Sequence, residues 1–359
     1  MSATPSDLAL VYRSDSPPAE TFRELASAFR NALTRGGFTG ELRAGGSLAY
    51  EGTEVATVSS WADGSAFELR WKAMPWGGSK DGSVSLRVEA EGAGSRVTWG
   101  LHGWADLFAT PVDGLADWAA GEVLPAILAR LTPDAIGDWW TDRRARRPSG
   151  RASRETYRDP LYHWPNFWLI LDRIRLGPTD RLLEVGCGGG AFLREALRSG
   201  CSASAVDHSP EMLAVAREVN SAAVEAGRLV LAEAEADRLP VPDRAFTCCV
   251  STGAIGFFPD PLGALREMHR ALGPGGRLAI FASTPAMRGT PAAPEPVASR
   301  ARFFEAQELA ELGRAAGFAD VRVEEPDLAE HARRAQIPEE AMPLFRVAGG
   351  SLLLTARRP

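Results

Sequence analysis

The segment LLEVGCGGGAFL, residues 182–193, runs from an apolar strand through four glycines and a cysteine straight into a helical pattern. A chain gives up side chains like this where its backbone approaches something closely. In open α/β sheets, such strand-to-helix turns at the carboxyl ends of strands are where ligands bind. The flanking pattern fits that setting. From about residue 166, NFWLILDRI reads as a helix, RLLEVG as a strand, AFLREALRSG as a helix stopped by Gly200, CSASAVD as a strand and SPEMLAVAREVN as a helix. The strands RLVLAEA and AFTCCVS, the helix PLGALREMHRALG and the strand RLAIFAS follow, with GGSLLLTARRP as a last, antiparallel strand. Strands spaced by helices predict a parallel sheet covered on both faces.

The N-terminal part has a different period. Phe22, Leu25, Ala26, Phe29 and Leu33 form one apolar helical stripe. Between residues 45 and 104 the period becomes two: Phe67, Leu69 and Trp71 alternate with Glu68, Arg70 and Lys72, and Val84/Leu86/Val88 and Val97/Trp99/Leu101 repeat the pattern. Turn clusters WGGSKDGS and EGAGS separate these runs, which predicts antiparallel hairpins with one buried face. Helical material returns at 113–142. The arginine-rich DRRARRPSGRASRETYRD then reads as a solvated helix end running into a linker. The expected division is 1–142 as one domain, 143–158 as linker and 159–359 as a second domain.

At 359 residues, 45% hydrophobic and 24% charged, the chain has the composition of an ordinary globular protein of two domains. A net charge of −6 gives no electrostatic reason for nucleic acid or an anionic membrane surface as a partner. There is no run of apolar residues long enough to span a bilayer and no secretory pattern at the N-terminus, so the expected compartment is the cytoplasm. Four cysteines, Cys187, Cys201, Cys248 and Cys249, lack zinc-type spacing and read as small hydrophobes in a reducing compartment; a thiol-bound metalloid substrate is the remote alternative. No metal site is expected. Arginine-heavy composition with abundant Ala, Gly and Pro fits a GC-rich bacterial genome.

Three ligands compete for the glycines. A P-loop needs a lysine closing the turn, and the only lysines, Lys72 and Lys80, lie elsewhere. A dinucleotide fits Gly186, Gly188 and Ala191 as G-x-G-x-x-G/A, with Asp207 about twenty residues on as the ribose acid. The third reading uses more of the chain: Glu184 opens an E-x-G-x-G-x-G run, and AVDHSPEML, EADRLPVPDRAF, FFPDPLGALREMHRALGPGGRL and RAAGFADVRV follow in order. In these landmarks the sequence resembles the class I S-adenosylmethionine-dependent methyltransferases, of the methyltransferase-11/ubiquinone-type branch, over roughly residues 155–359.

That resemblance implies a seven-stranded doubly wound Rossmann-like methyltransferase sheet with S-adenosyl-L-methionine as cofactor. It places Glu184, Gly186, Cys187 and Gly188 against the methionine end, Asp207 on the ribose hydroxyls, and His208 and Met212 around the adenine. Glu235 and Ala236 match the family's Asp-Ala step, and Ser251 falls near the methionyl group. Plainer roles compete for some of these: a strand-end cap for Asp207, a turn residue for His208, helix core for Met212. Over residues 8–142, the helix, FELRW, SRVTWGLHGW and WAAGEVLPAILARL resemble an α+β helix-grip (START-like) domain, particularly the activator-of-heat-shock-ATPase-like branch. Trp71, Trp76, Trp99 and Trp104 then line a cavity, or else belong to a solid core.

Methyl transfer is an in-line displacement driven mainly by positioning, with a base needed only if the nucleophile must lose a proton. Many relatives carry a polar pair after the fourth strand; here Gly256 and Phe257 stand there, and Phe246-Thr247 replaces Phe-Asp. The remaining candidates lie in YRDPLYHWPNFW, a segment that the resemblance folds over the cofactor with its aromatics toward cofactor and acceptor: Tyr157, Tyr162, Trp164 and His163, the last as general base or else an interdomain or core histidine. Residues 284–304 and 327–345 read as substrate walls, and with Phe257, Phe258, Phe303 and Met342 they point to a small, largely apolar acceptor, such as an aromatic or polyketide-like intermediate of secondary metabolism. A cofactor-bound enzyme catalysing a non-methylating cyclisation or rearrangement is the alternative; a pure binding module ranks below both. The N-terminal domain would serve as an accessory, substrate-holding or dimerising module, and a homodimer is compatible with it.

Overall fold

The computed structural model describes residues 8–359 except 36, 51, 74–79, 104–137, 139–140, 149–150, 294–296 and 348. The chain divides into two compact units, Met1–Trp140 and Thr141–Pro359.

In the first unit, β1 (Leu8–Ser14) precedes α1 (Pro18–Arg35). Six strands follow: β2 (Phe38–Gly40), β3 (Ser47–Tyr50), β4 (Thr53–Ala62), β5 (Ala66–Trp71), β6 (Gly82–Glu91) and β7 (Gly94–His102). They form one antiparallel sheet in the order β1-β7-β6-β5-β4-β3-β2. The period-two residues build its core. Phe67, Leu86 and Trp99 occupy one cross-strand row, and Phe29 from the α1 stripe packs on it, 5.6 Å from Phe67 and 5.4 Å from Trp99 between ring centroids. Trp71 and Trp99 are both 0% exposed within this core. Trp76, Trp104 and the helix expected from 113 to 137 lie outside the described residues.

The second unit carries seven strands: β8 (Arg181–Val185), β9 (Ser202–Asp207), β10 (Leu229–Glu233), β11 (Phe246–Ser251), β12 (Leu272–Ser283), β13 (Ala319–Glu324) and β14 (Ser351–Arg357). Their order is β10-β9-β8-β11-β12-β14-β13, with β14 antiparallel to both neighbours and the other pairs parallel. The helices are α2 (Arg151–Arg158), α3 (Trp164–Ile174), α4 (Ala191–Ala196), α5 (Pro210–Val219), α6 (Ser221–Glu225), α7 (Pro261–Ala271), α8 (Ala306–Ala315) and α9 (Ala329–Arg334). Successive strand residues serve opposite faces. Leu182, Cys248 and Val250 pack with Phe167, Ile170 and Phe192 on one side. Leu183, Cys249 and Ile280 pack with Leu265, Met268 and Leu309 on the other. The doubly wound expectation is met.

Two stretches differ from their sequence reading. Of the expected linker 143–158, the described residues include a helical turn at Asp142–Arg146 and then α2; Arg154 pairs with Glu211 and Arg158 with Glu218 on α5. The arginines' polarity alone suggests a solvated segment, because their acidic partners lie far along the chain. Met342, expected on a substrate wall, is 1% exposed and sits in the core with Phe167, Ala332 and Ile337. The insertion that carries it docks on α3, where His331 meets Asp172 Oδ2 at 3.1 Å and the Arg334 guanidinium lies 4.3 Å from the Trp168 ring centre. Among the described residues, no helix is long and apolar enough to cross a membrane, and no group of three His, Cys, Asp or Glu side chains could hold a metal ion.

Phe29 lies wholly within the first unit's core. Phe29→Ala should lower that unit's unfolding free energy by about 3–5 kcal/mol, read from urea melts followed by tryptophan fluorescence.

Candidate active site

β8 lies between β9 and β11, with Glu184 opposite Ala205 on one side and Val250 on the other. The strand order reverses here, so the turns leaving β8 and β11 diverge and open a crevice at the carboxyl ends. In the glycine turn, Gly186 N and Cys187 N both donate to Val206 O, at 2.9 and 3.1 Å. Gly188 N donates to Asp207 Oδ2 at 2.8 Å, and Ser209 N to Oδ1 at 2.9 Å. Each carboxylate oxygen therefore keeps acceptor capacity for a further donor. Burial raises the Asp207 pKa, and the bonds from Ser209 and Gly188 oppose that rise.

Glu184 is 0% exposed. Its Oε1 accepts from Thr252 Oγ1 at 3.1 Å, while Oε2 bonds to nothing among the described residues. Burial, reinforced by the negative charge of Asp207, holds its pKa well above the usual carboxylate value. Ser251 Oγ, at the end of β11, is also buried and has no partner among the described residues. The Cys187 thiol faces Gly188 O at 3.7 Å, and burial pushes its pKa well up, so this residue contributes backbone rather than a thiolate. The other three cysteines are buried too, Cys248 with its pKa pushed up to about 12.

The glycines are partly filled by the protein itself. A Cβ on Gly189 would lie 2.2 Å from Tyr157 O, so the last turn of α2 rests directly on the loop, with the Tyr157 ring against Gly188. Burial raises the Tyr157 phenol to about 12, and its hydroxyl donates to Arg144 O at 3.3 Å.

Two of the expected adenine residues meet. His208 Nδ1 lies 3.3 Å from Glu235 Oε2, and Arg147 Nη2 donates to Glu235 Oε1 at 2.8 Å. The other His208 nitrogen meets Arg146 O. Glu235 thus already has two protein partners, a commitment its sequence position did not reveal. Met212 is fully buried in the first turn of α5, its amide donating to the Ser209 cap at 3.3 Å. Ala236 packs, half-buried, against the core under α7.

On the acceptor side the candidates divide. Leu161 and Tyr162 are exposed large hydrophobics on the turn that holds His163. The His163 ring lies edge-on to Tyr157 at 6.2 Å and to Phe167 at 6.0 Å. His163 itself is exposed to solvent, and the protein packed around its ring lowers its pKa from the ordinary imidazole value. Trp164, by contrast, is 8% exposed, with its indole N–H donating to Asp159 Oδ1 at 2.9 Å. Gly256 is committed to backbone pairing: Arg302 N donates to Gly256 O at 2.8 Å, and a Cβ on Gly256 would lie 2.7 Å from Arg302 O. Phe257 is half-buried beside it. Phe303 is 7% exposed, packs with Met287 and Ala293, and carries the Arg288 guanidinium 4.8 Å from its ring centre. Tyr162, His163 and Phe257 are therefore more accessible than Trp164 and Phe303.

Tyr157, expected from the aromatic run before β8, does lie against the glycine turn. Thr252 gave no signal in the sequence, because it meets Glu184 only through the sheet.

Residues 183–280 match the family model described as a methyltransferase domain. The chain is similar to an O-methyltransferase of Pyrenophora dematioidea, 33% identical over 112 residues, 31% of this chain and 42% of that protein. It is 35% identical over 99 residues to a malonyl-[acyl-carrier protein] O-methyltransferase of Serratia marcescens, covering 28% and 36% of the two chains. A ubiquinone/menaquinone biosynthesis C-methyltransferase of Geotalea daltonii is 32% identical over 126 residues, 34% and 53% of the two chains. The match thus spans about half or less of the length of these curated relatives. Among solved structures, the [4+2]-cyclase SpnF aligns with a TM-score of 0.42 at 25% identity, covering 54% of this chain and 80% of that one. The methyltransferase-domain match falls wholly within the second unit, and the named relatives support S-adenosylmethionine as its cofactor.

The bare Glu184 oxygen has a measurable consequence. An unfolded chain releases this proton near 4.5, whereas the folded one keeps it to higher pH. Folding stability from this group is therefore present at low pH and declines as pH rises from the unfolded value through the raised folded one. Asp207, Cys187 and Cys249 are the other titratable groups whose charge couples to it. In ligand-free protein, Glu184→Gln should melt roughly 2–8 °C above wild type at pH 8 and close to it near pH 4.5, checked by scanning calorimetry.

Proposed function

We propose that this protein transfers the methyl group of S-adenosylmethionine to a small, largely apolar acceptor, with the cofactor held at the carboxyl ends of β8, β9 and β11. The observation that carries this reading is the unmatched Oε2 of Glu184, buried close enough to Asp207 for the two acids to feel each other's charge. Two acids beside the glycines complement a ligand bearing a cationic group and a ribose diol. A dinucleotide pyrophosphate on the same glycines would meet like charge in a desolvated crevice.

The bound cofactor supplies an activated methyl on a positively charged sulfur, and the chain's own residues bind, orient and exclude water. Asp207 accepts from the ribose hydroxyls with the lone pairs that Gly188 N and Ser209 N leave open. Glu184 Oε2 takes the ammonium, with Ser251 alongside. Gly186, Cys187 and Gly188 present backbone, His208, Met212 and Ala236 flank the adenine, and Tyr157 roofs the loop. Glu235 acts with Arg147 in holding residues 142–148 over the adenine end. Exposed Leu161 and Tyr162 support an apolar acceptor, in keeping with secondary metabolism, and His163 beside them is read as the base that removes a proton from it.

The first unit is read as an α+β helix-grip module that holds substrate or joins two copies; α1 on a seven-stranded antiparallel sheet supports that reading. A second functional reading, cyclisation or rearrangement without methyl transfer, draws on Gly256. Its backbone lock to Arg302 leaves the β11 turn without an acid or base where relatives carry a polar pair.

Calorimetry should show micromolar binding of S-adenosylmethionine and its product S-adenosylhomocysteine, weakened about 100-fold by Asp207→Ala; binding of NAD(H) instead would overturn the reading. Labelled-cofactor screening of metabolites tests transfer, and turnover without S-adenosylhomocysteine would select the cyclase reading. His163→Ala should retain cofactor affinity and lose about 100-fold or more in turnover; unchanged turnover excludes a base at this position.

A further inference from the structure

Glu184 is gripped from one side only. Thr252 follows Ser251, the last residue of β11, and its hydroxyl reaches the neighbouring strand end to donate to Oε1 at 3.1 Å. A carboxylate turns easily about its terminal bond unless one oxygen is pinned. Among the described residues, no arginine, lysine or histidine bonds to this carboxylate, and the groups whose charge couples to it, Asp207, Cys187 and Cys249, are acids or thiols. The choice of partner matters. A cation there would cancel the charge of Glu184, whereas a neutral donor orients the group and leaves its charge for a ligand.

We infer that Thr252 is a positioning residue for the cofactor: its hydroxyl pins Oε1 of Glu184 and so presents Oε2 to the ammonium of the cofactor's amino-acid end. The inference rests on the S-adenosylmethionine reading of the site. Thr252 itself touches no ligand in this arrangement. It acts through Glu184, and only on ligands that bring a cation to Oε2.

That selectivity supplies the test. S-adenosylhomocysteine carries the ammonium, and 5′-methylthioadenosine keeps adenine and ribose but lacks the amino-acid end. Calorimetry with both ligands on wild type, Thr252→Val and Thr252→Ser should show Thr252→Val weakening S-adenosylhomocysteine about tenfold while 5′-methylthioadenosine stays within about twofold. Thr252→Ser, which restores the hydroxyl, should stay near wild type for both. Equal loss for the two ligands would mean a structural role, and no loss for either would mean no role; each overturns the inference while the cofactor reading stands. Wild type binding neither ligand would overturn both together.

Discussion

β8 is held in parallel register between β9 and β11, and that pairing brings the ends of three strands to one level. Glu184 lies across from Ala205 and Val250. Asp207 and Ser251, a short step further along their strands, therefore finish beside the glycine turn rather than above or below it. Three polar side chains are thereby carried into a desolvated place by apolar strands that are buried on both faces. Leu182, Leu183, Cys248 and Cys249 supply the burial that offsets this cost. A slip of one residue in β8 would turn Glu184 into the opposite core and dissolve the arrangement.

Much of this was legible in the chain because it is local. The alternation of apolar strands and amphipathic helices, the glycine turn and the acid ending SASAVD are all written within a few residues of one another. The α1 stripe and the period-two strands were equally local. What escaped the sequence are meetings across long separations: Thr252 with Glu184, Arg147 with Glu235, Arg302 with Gly256. Trp164 and Met342 show the converse. An aromatic or thioether side chain suits a pocket wall and a core equally well, and only the packing around it decides. The arginines of residues 143–158 looked like a solvated linker for the same reason, since Glu211 and Glu218 become their neighbours only once α5 is in place.

The turn after β11 illustrates how one commitment moves a task elsewhere. Gly256 lets the Arg302 backbone approach so closely that no side chain fits there. The resulting pairing anchors the far end of the long connection after β12 beside the β11 turn, and the proposed base lies on a different element. There the turn at Leu161–His163 sits on an α3 that is itself braced by the insertion before β14, through His331 and Arg334. The insertion, which the sequence suggests as a wall facing substrate, instead packs on the element that follows the accessible aromatics.

The four cysteines all belong to the second unit, each buried, with burial the largest influence raising its pKa. A folded chain therefore presents no thiolate to an alkylating reagent, while an opened second unit presents several and the first unit none at all. Covalent labelling of native protein is thus a clock for the opening of one unit alone, a built-in means of timing its excursions without an engineered probe.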